Sequence, residues 1–153
     1  MGDAGEIVLG WCGLGAKNVL SLQLEMESLR LYKREKLCST IAIKQLFGGD
    51  GKSVMAYPLR AVYRFVDYRP EAPARFMISI PKKRIRKAVG RVLLRRRTRE
   101  AFRLNRALLY PALHEAQRSV DVAFVYVANV PLDYATIELK MKEMLTKIAK
   151  ASQ

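Results

Sequence analysis

Arginine and lysine are concentrated in one stretch of the chain, residues 82–106. This stretch holds twelve arginines and lysines and one acid, Glu100, so it contributes +11 to a protein whose total net charge is +14. The planar guanidinium of arginine binds phosphate through two parallel hydrogen bonds and stacks on nucleobases. A cluster rich in arginine therefore predicts a polyanionic partner, and it favours nucleic acid.

The same stretch has the pattern of an amphipathic helix. No proline or glycine interrupts residues 91–110, and most of its residues are good helix formers. Because residues three and four apart are neighbours on a helix, the spacing predicts one basic stripe. Its members are Arg91, Arg95, Arg99, Arg103 and Arg106, with Arg96 beside them. A mainly apolar stripe with Leu94, Ala101 and Phe102 is suited to packing on a sheet.

The basic helix has two other interpretations. It could be a solvated surface without a partner, or a helix that binds a membrane surface or a groove in another protein. Like charges at i,i+4 repel, so a stripe without a polyanion would destabilise its own helix. The membrane and groove interpretations require the apolar side of the helix to be exposed.

Side chains for catalysis are sparse. The only histidine, His114, is predicted to lie on the surface in a polar link over residues 114–119, and the acidic residues are scattered. A hydrolase acting alone would need a nucleophile with its base, clustered carboxylates for a metal, or a tuned histidine. The sequence therefore predicts a binding protein with no catalytic residue and no metal site of its own.

Cysteine content and hydropathy indicate the cellular compartment in which the protein is expected. Cys12 and Cys38 are too few for a zinc cluster or a disulfide framework, so we expect small buried residues without a disulfide partner, in a cytoplasmic protein. No stretch reaches the roughly 18–20 apolar residues that span a bilayer. The uncharged run over residues 7–16 follows acids rather than lysines, unlike a secretory signal.

The order of elements predicts an α+β fold with helices packed on a small sheet. We expect a first helix over 34–47, strands over 59–66, 75–80 and 120–127, and a last helix after Asp133 as its N-cap. Alternation along the first strand places Tyr63 on the same face as Leu59 and Ala61. The basic helix lies between two strands, which predicts a βαβ crossover and favours parallel pairing of those strands.

The first residues differ in composition from the rest of the chain. Residues 1–25 hold five of the nine glycines, the only tryptophan and a single basic residue, Lys17. Met26 opens a segment that looks like a natural protein start. We interpret residues 1–28 as an N-terminal extension of uncertain origin and residues 29–151 as the domain.

A longer pattern resembles a known signature. It consists of Arg75-Phe-Met-Ile-Ser-Ile-Pro-Lys-Lys83, Lys87-Ala-Val89, Arg91, Arg95-Arg96 and Arg99-Glu-Ala-Phe-Arg103. This resembles the bacterial ribonuclease P protein family, in which Ser-x-x-Lys-Lys ends a strand and Lys-Ala-Val-x-Arg-Asn-Arg-x-Lys-Arg-x-x-Arg-Glu follows. The likeness extends over about residues 29–150. One departure is Val92-Leu93, where the family has Asn-Arg.

The resemblance implies a ribosomal-protein-like sandwich and a subunit of the endonuclease that removes the 5′ leader of precursor tRNA. Mg²⁺ and the catalysis would belong to the RNA subunit, while the protein would bind that RNA and the leader. By this resemblance the RNA contacts are Lys82, Lys83, Lys87, Arg91, Arg95, Arg96, Arg99 and Arg103. The alternative function is a basic ribosomal-type RNA-binding protein without a role in cleavage.

The resemblance also implies a cleft for the leader between helix and sheet. Its candidate residues are Arg75 and Tyr63, whose ring would stack on an unpaired base. A core position for Tyr63 is the alternative.

Overall fold

A four-stranded mixed sheet is the centre of the fold in the computed structural model, which describes residues 30–153. The strands are β1 (Lys52–Ala56), β2 (Leu59–Asp67), β3 (Ala74–Ser79) and β4 (Arg118–Tyr126), in the order β1-β2-β4-β3. β2 pairs antiparallel with β1 and β4, and β3 pairs parallel with β4. The parallel pairing confirms the predicted crossover. The proposed extension over residues 1–28 lies outside the described residues.

Four helices and two 3-10 turns accompany the sheet. The helices are α1 (Thr40–Phe47), α2 (Ala88–Asn105), α3 (Tyr110–Ala116) and α4 (Tyr134–Ser152), and the turns are Lys33–Glu35 and Arg106–Leu108. The basic helix is α2, between β3 and β4. These elements confirm the predicted α+β fold class.

Several predicted boundaries are wrong. The first helix begins at Thr40 rather than residue 34, because Ser39 caps it through a hydrogen bond from the Ala42 N–H (3.4 Å). The basic helix ends at Asn105 rather than continuing to residue 110, and a separate helix, α3, begins at Tyr110 with Pro111 in its first turn. His114 therefore lies in α3 and not in a link. The strand β1 was missed because it is short and largely exposed.

The largest core lies between the sheet and α2, α3 and α4, on what we term the α2 side. The ring of Phe102 on α2 contacts Phe76 (centroids 4.5 Å apart) and Phe124 (5.7 Å). Helix α4 adds fully buried residues at helical spacing: Ile137, Met141, Met144, Leu145 and Ile148. Each such side chain contributes about 1.5–3 kcal/mol when buried, so this core fixes α2 against the sheet.

A smaller core lies on the opposite face, the α1 side. Leu37 and Leu46 pack there on Val62 and Ala123. Because successive strand residues point to opposite faces, Arg60 and Arg64 of β2 share this side with Val62. Arg75 of β3 is on the same side, since its register partner Asp121 is two residues from Ala123. None of the helices within residues 30–153 is long and apolar enough to cross a membrane.

Candidate RNA interface

The segment between β3 and α2 presents exposed basic side chains. Its backbone turns tightly, since the Pro81 carbonyl accepts hydrogen bonds from the N–H groups of Arg84 (3.0 Å) and Ile85 (3.1 Å). The Ile85 side chain is buried and anchors the turn. The exposed cations are Lys82, Lys83, Arg84, Arg86 and Lys87. This turn therefore displays positive charge from a fixed backbone.

Three arginines of α2 are exposed and available to a ligand. They are Arg95, Arg96 and Arg99, and within residues 30–153 they form no hydrogen bond or ion pair. Arg99 lies three residues after Arg96 and four after Arg95, so its side chain is a neighbour of both on the helix surface. All five donors of each guanidinium are thus free to bind phosphate.

The other arginines of the predicted stripe are bound within the protein, so the stripe is shorter than predicted. Arg91 donates to the carbonyls of Ile85 (2.9 Å) and Arg86 (2.7 Å). This contact holds the turn before α2, whose N-cap Lys87 makes no capping hydrogen bond. It makes Arg91 a structural residue in the free protein.

Arg103 is also engaged on the helix itself. Its Nε donates a hydrogen bond to Glu100 Oε2 (2.9 Å), and its Nη2 donates a second one to Glu100 Oε1. This pair of bonds lowers the pKa of the Glu100 carboxyl below its ordinary value. Glu100 therefore neutralises part of the arginine surface, as an i,i+3 pair does.

Arg106 belongs to a buried cluster that connects the turn after α2 with the segment at Glu35. Its Nη1 donates to Glu35 Oε1 (2.7 Å), and the Tyr110 hydroxyl donates to the same oxygen (2.8 Å). The Tyr32 N–H donates to Glu35 Oε2 (2.7 Å). Burial and then Glu35 raise the pKa of Tyr110. The cluster holds residues 32–36 near the end of α2, a contact across 71 positions that local sequence patterns do not reveal.

A groove lies between this N-terminal segment and α2. It has a volume of about 310 Å³, and Lys36 faces it together with Arg95 and Arg99. Its floor includes Phe76, Met77 and Ile78 of the edge strand β3. Leu37 is fixed beside it by a hydrogen bond from its N–H to the Phe76 carbonyl (2.9 Å). Lys36, which the sequence analysis missed, thus extends the basic surface of α2.

A second groove shares Lys36 and Cys38 with the first. It has a volume of about 530 Å³, and its basic residues are Arg34, Lys36, Arg69 and Arg75. The buried Asp121 orients two of them, with Oδ1 at 2.7 Å from Arg69 Nη2 and 3.8 Å from Arg75 Nε. The predicted Arg75 therefore lies in a basic groove on the α1 side.

Tyr63 does not lie in either groove. It is 4% exposed, on the α2 side of the sheet, and its ring packs edge-to-face on Phe65 (centroids 5.5 Å apart). The structure thus shows the core position, and the predicted stacking of a leader base on this ring does not fit. Its neighbour Arg64 points to the α1 side and donates to Gln45 Oε1 (2.6 Å). A shift of one residue along a strand exchanges the two faces.

The described part of the chain has no cluster of side chains placed to hold a metal ion. Within residues 30–153, no three His, Cys, Asp or Glu side chains are placed to hold a metal ion together. The ring of His114 contacts Tyr68 through a hydrogen bond at the surface. Cys38 is a free thiol and is exposed, so the expectation of a buried residue is wrong for it. Cys12 lies outside the described residues.

Comparison with known proteins identifies the family. Residues 31–149 match the family model described as Ribonuclease P. The chain belongs to the ribonuclease P protein family. It is 40% identical over 119 residues to the ribonuclease P protein component of Porphyromonas gingivalis, covering 78% of this chain and 86% of the relative.

Solved structures of ribonuclease P proteins share the fold. The protein from Thermotoga maritima superposes with a TM-score of 0.57 at 22% identity, over 74% of this chain and 96% of that one. The protein from Staphylococcus aureus gives 0.56 at 19% identity, over 78% and 98%. The chain is thus a subunit of ribonuclease P, a ribonucleoprotein of tRNA processing with an RNA partner. The ribosomal-type alternative is not favoured.

The departure from the ribonuclease P signature lies at the start of α2. Val92 and Leu93, where the family has Asn-Arg, are both exposed. Together with Ala88, Val89 and Arg96 they line a shallow surface. This subunit therefore presents aliphatic side chains inside its most basic segment.

Proposed function

We propose that this ribonuclease P subunit binds the catalytic RNA and the 5′ leader of precursor tRNA, and thereby assists cleavage of the leader. The observation that carries the proposal is the exposure of Arg95, Arg96 and Arg99 on one helix, with no internal partner among residues 30–153. Such a surface is complementary to closely spaced phosphates.

We assign the two RNA ligands to adjoining parts of the basic surface, which meet at Arg95 and Arg99 on the wall of the first groove. The catalytic RNA contacts the turn before α2 and the exposed side of α2, through Lys82, Lys83, Lys87, Arg95, Arg96 and Arg99. The leader follows the two grooves, with Lys36 at their junction and Arg75 in the second. Arg91 and Arg103 are left out of this set because they are bound internally.

In this proposal Mg²⁺ is held by the RNA subunit and supplies the metal chemistry of hydrolysis there. The protein residues neutralise phosphates and position the leader. The support is the donor set, since residues 30–153 offer no cluster of metal-ligating side chains. We propose the cytoplasm as the location, and the free thiol of Cys38 suits its reducing conditions.

The basic grooves predict binding of the leader with little sequence preference. Cations that bind the sugar-phosphate backbone read charge and not base identity. If roughly five to seven phosphates are contacted, the logarithm of affinity falls with the logarithm of salt with a slope of about −3.5 to −5.

The test is cleavage of a precursor tRNA at low magnesium by the cognate ribonuclease P RNA, with and without the full-length protein. We expect the protein to stimulate cleavage at the mature 5′ end. The double substitution Arg95→Ala and Arg99→Ala should abolish most of this stimulation, since each charged hydrogen bond contributes about 1.5–3 kcal/mol.

The matched control removes two positive charges from α4 through Lys142→Ala and Lys150→Ala. We expect this variant to stimulate cleavage like the wild type. Equal loss in both double variants would mean that only net charge matters. Lack of stimulation by the wild-type protein, with RNA binding intact, would contradict the proposed role in cleavage.

A further inference from the structure

Three aliphatic side chains form an exposed patch in the first half of α2. Val89 is 81% exposed, Val92 46% and Leu93 41%. They are three and four residues apart, so they adjoin on the helix surface. We name Val89, Val92 and Leu93 the aliphatic patch. The internal packing of α2 uses other residues, including Leu94 and Phe102.

The surroundings of the aliphatic patch limit what can cover it. Arg96 lines the same surface, and Lys87 and Arg95 are exposed on adjoining turns. A second copy of the chain bound through this patch would bring two +11 segments together, and like charges in an interface oppose association. A membrane-binding helix needs a wide apolar face, but the wide face of α2 is buried on the sheet.

A nucleotide combines the two properties that the surface requires. Its phosphate is anionic, and the face of its base is flat and poorly hydrated. Neighbours at i,i+4 on a helix have Cβ atoms about 5–6 Å apart, so Arg96 and Val92 can contact the phosphate and the base of one nucleotide. Arginine on the phosphate and an apolar contact with the base then act together.

We propose that the aliphatic patch binds an unpaired nucleobase of the RNA subunit, as an apolar contact inside an electrostatic interface. The inference rests on the proposed function, in which α2 binds that RNA. The dependence of RNA affinity on salt concentration distinguishes the phosphate contacts from the apolar contact. Phosphate contacts release counterions and set the salt slope, whereas an apolar contact with a base releases none.

The experiment measures the Kd of the full-length protein for the cognate ribonuclease P RNA over a series of KCl concentrations. Leu93→Ala should raise Kd by about three- to tenfold, and by the same factor at each KCl concentration. The reason is that the substitution removes only apolar area that is buried when the RNA binds, and no charge. Arg96→Ala should instead make the slope shallower by about 0.7–0.9. Leu93→Arg should steepen the slope by a similar amount.

Leu104→Ala is the matched control. Leu104 lies on the same helix and is 42% exposed, against 41% for Leu93, but it is outside the aliphatic patch. We expect its Kd to equal that of the wild type. A chemical probe of unpaired bases should also show one RNA position that the wild-type protein and the Leu104→Ala variant protect and Leu93→Ala leaves reactive.

The outcomes distinguish this inference from the proposed function. If Leu93→Ala binds like the wild type while Arg96→Ala and Arg95→Ala bind more weakly, the inference is overturned and the function stands. Unchanged RNA affinity together with altered self-association, or altered binding to anionic phosphatidylglycerol vesicles, would assign the patch to another partner and also overturn it. If the arginine variants also bind RNA normally, the proposed function fails as well.

Discussion

The arginines of α2 and of the turn that follows it have separate tasks in this protein. Arg95, Arg96 and Arg99 are exposed and free of internal bonds among residues 30–153, while Arg91 braces the preceding turn. Arg106 is buried with Glu35. A count of positive charge therefore overstates the number of groups that can contact phosphate. The burial of each guanidinium decides whether it serves stability or binding.

Loss of the buried arginine should destabilise the protein strongly. Arg106→Met leaves the Glu35 carboxylate buried without its charge partner, which costs about 3–5 kcal/mol. The free energy of unfolding from urea denaturation measures this. Arg103→Met is the control, because its partner Glu100 is half exposed and such pairs contribute about 0–1 kcal/mol. Equal losses in both variants would contradict the role of burial.

Tyr110 should give the stability an alkaline pH dependence. Its raised pKa means that the folded state keeps the phenol protonated, so this contribution is complete below the tyrosine pKa of the unfolded chain, about 10. It is lost as pH rises toward the higher pKa of the folded state. The difference in unfolding free energy between wild type and Tyr110→Phe should therefore be smaller at about pH 11 than at about pH 8, with the loss beginning near pH 10.

The control for this prediction is Tyr57→Phe, which changes an exposed tyrosine. Its difference from the wild type should be small at both pH values. If the difference in unfolding free energy between wild type and Tyr110→Phe is the same at both pH values, the prediction is wrong, because the pKa of this hydroxyl would then be the same in the folded and unfolded states.

Glu100 should weaken RNA binding because it occupies Arg103. Glu100→Gln removes the negative charge beside the Arg103 guanidinium, which raises the positive charge that phosphate meets there, so affinity should rise and the salt slope should steepen by about 0.7–0.9. Filter binding over a salt series checks this. Glu143→Gln on α4 makes the same change of charge away from α2, and it should leave the slope unaltered.

At the scale of elements, α2 is held by its aromatic contact with the sheet. Phe102 lies between Phe76 of β3 and Phe124 of β4. The basic surface therefore depends on a side chain that is fully buried. Rigid packing sets the spacing of the exposed arginines.

Phe102→Ala should reduce the free energy of unfolding by about 3–5 kcal/mol, as large cavities in a core do. Leu104→Ala, at a partly exposed position of the same helix, should change it by less than about 0.5 kcal/mol. Thermal or urea unfolding compares the two. A small effect of Phe102→Ala would mean that other contacts position the helix.

Periodicity predicted the inner side of α2 correctly, since Leu94, Thr98, Ala101, Phe102 and Asn105 are the buried residues of that helix. A repeat of 3.6 residues is a local property. The Glu35 cluster and the groove at Lys36 were missed because they join residues far apart in the chain. For Tyr63, the alternation along β2 predicted correctly which side chains share a face of the sheet. It did not show that helices cover the face on which Tyr63 lies.

For the whole molecule, the basic surface continues from α2 past Lys36 into the second groove. The two grooves share Lys36, so one extended strand of RNA can contact both. The surface is therefore larger than the basic helix. It includes Lys36 before α1, the exposed arginines of α2, and Arg75 of β3.

Removal of Arg34 and Lys36 should weaken binding of the leader. The variant Arg34→Ala with Lys36→Ala loses two phosphate contacts, so its salt slope should be shallower by about 1.4 with a precursor tRNA. Mature tRNA without a leader should bind the holoenzyme equally well in both forms. An equal loss for both substrates would place these residues on the catalytic RNA instead.

The strand order has a consequence for synthesis of the chain on the ribosome. The strand β4 lies between β2 and β3, although it is made last of the four. A nascent chain that ends before residue 118 has its arginine-rich helix but no central strand to join β2 and β3 beneath it. The phosphate-binding surface therefore takes its final form only after residues 118–126 have left the exit tunnel, which separates translation of the basic segment from its first productive contact with RNA.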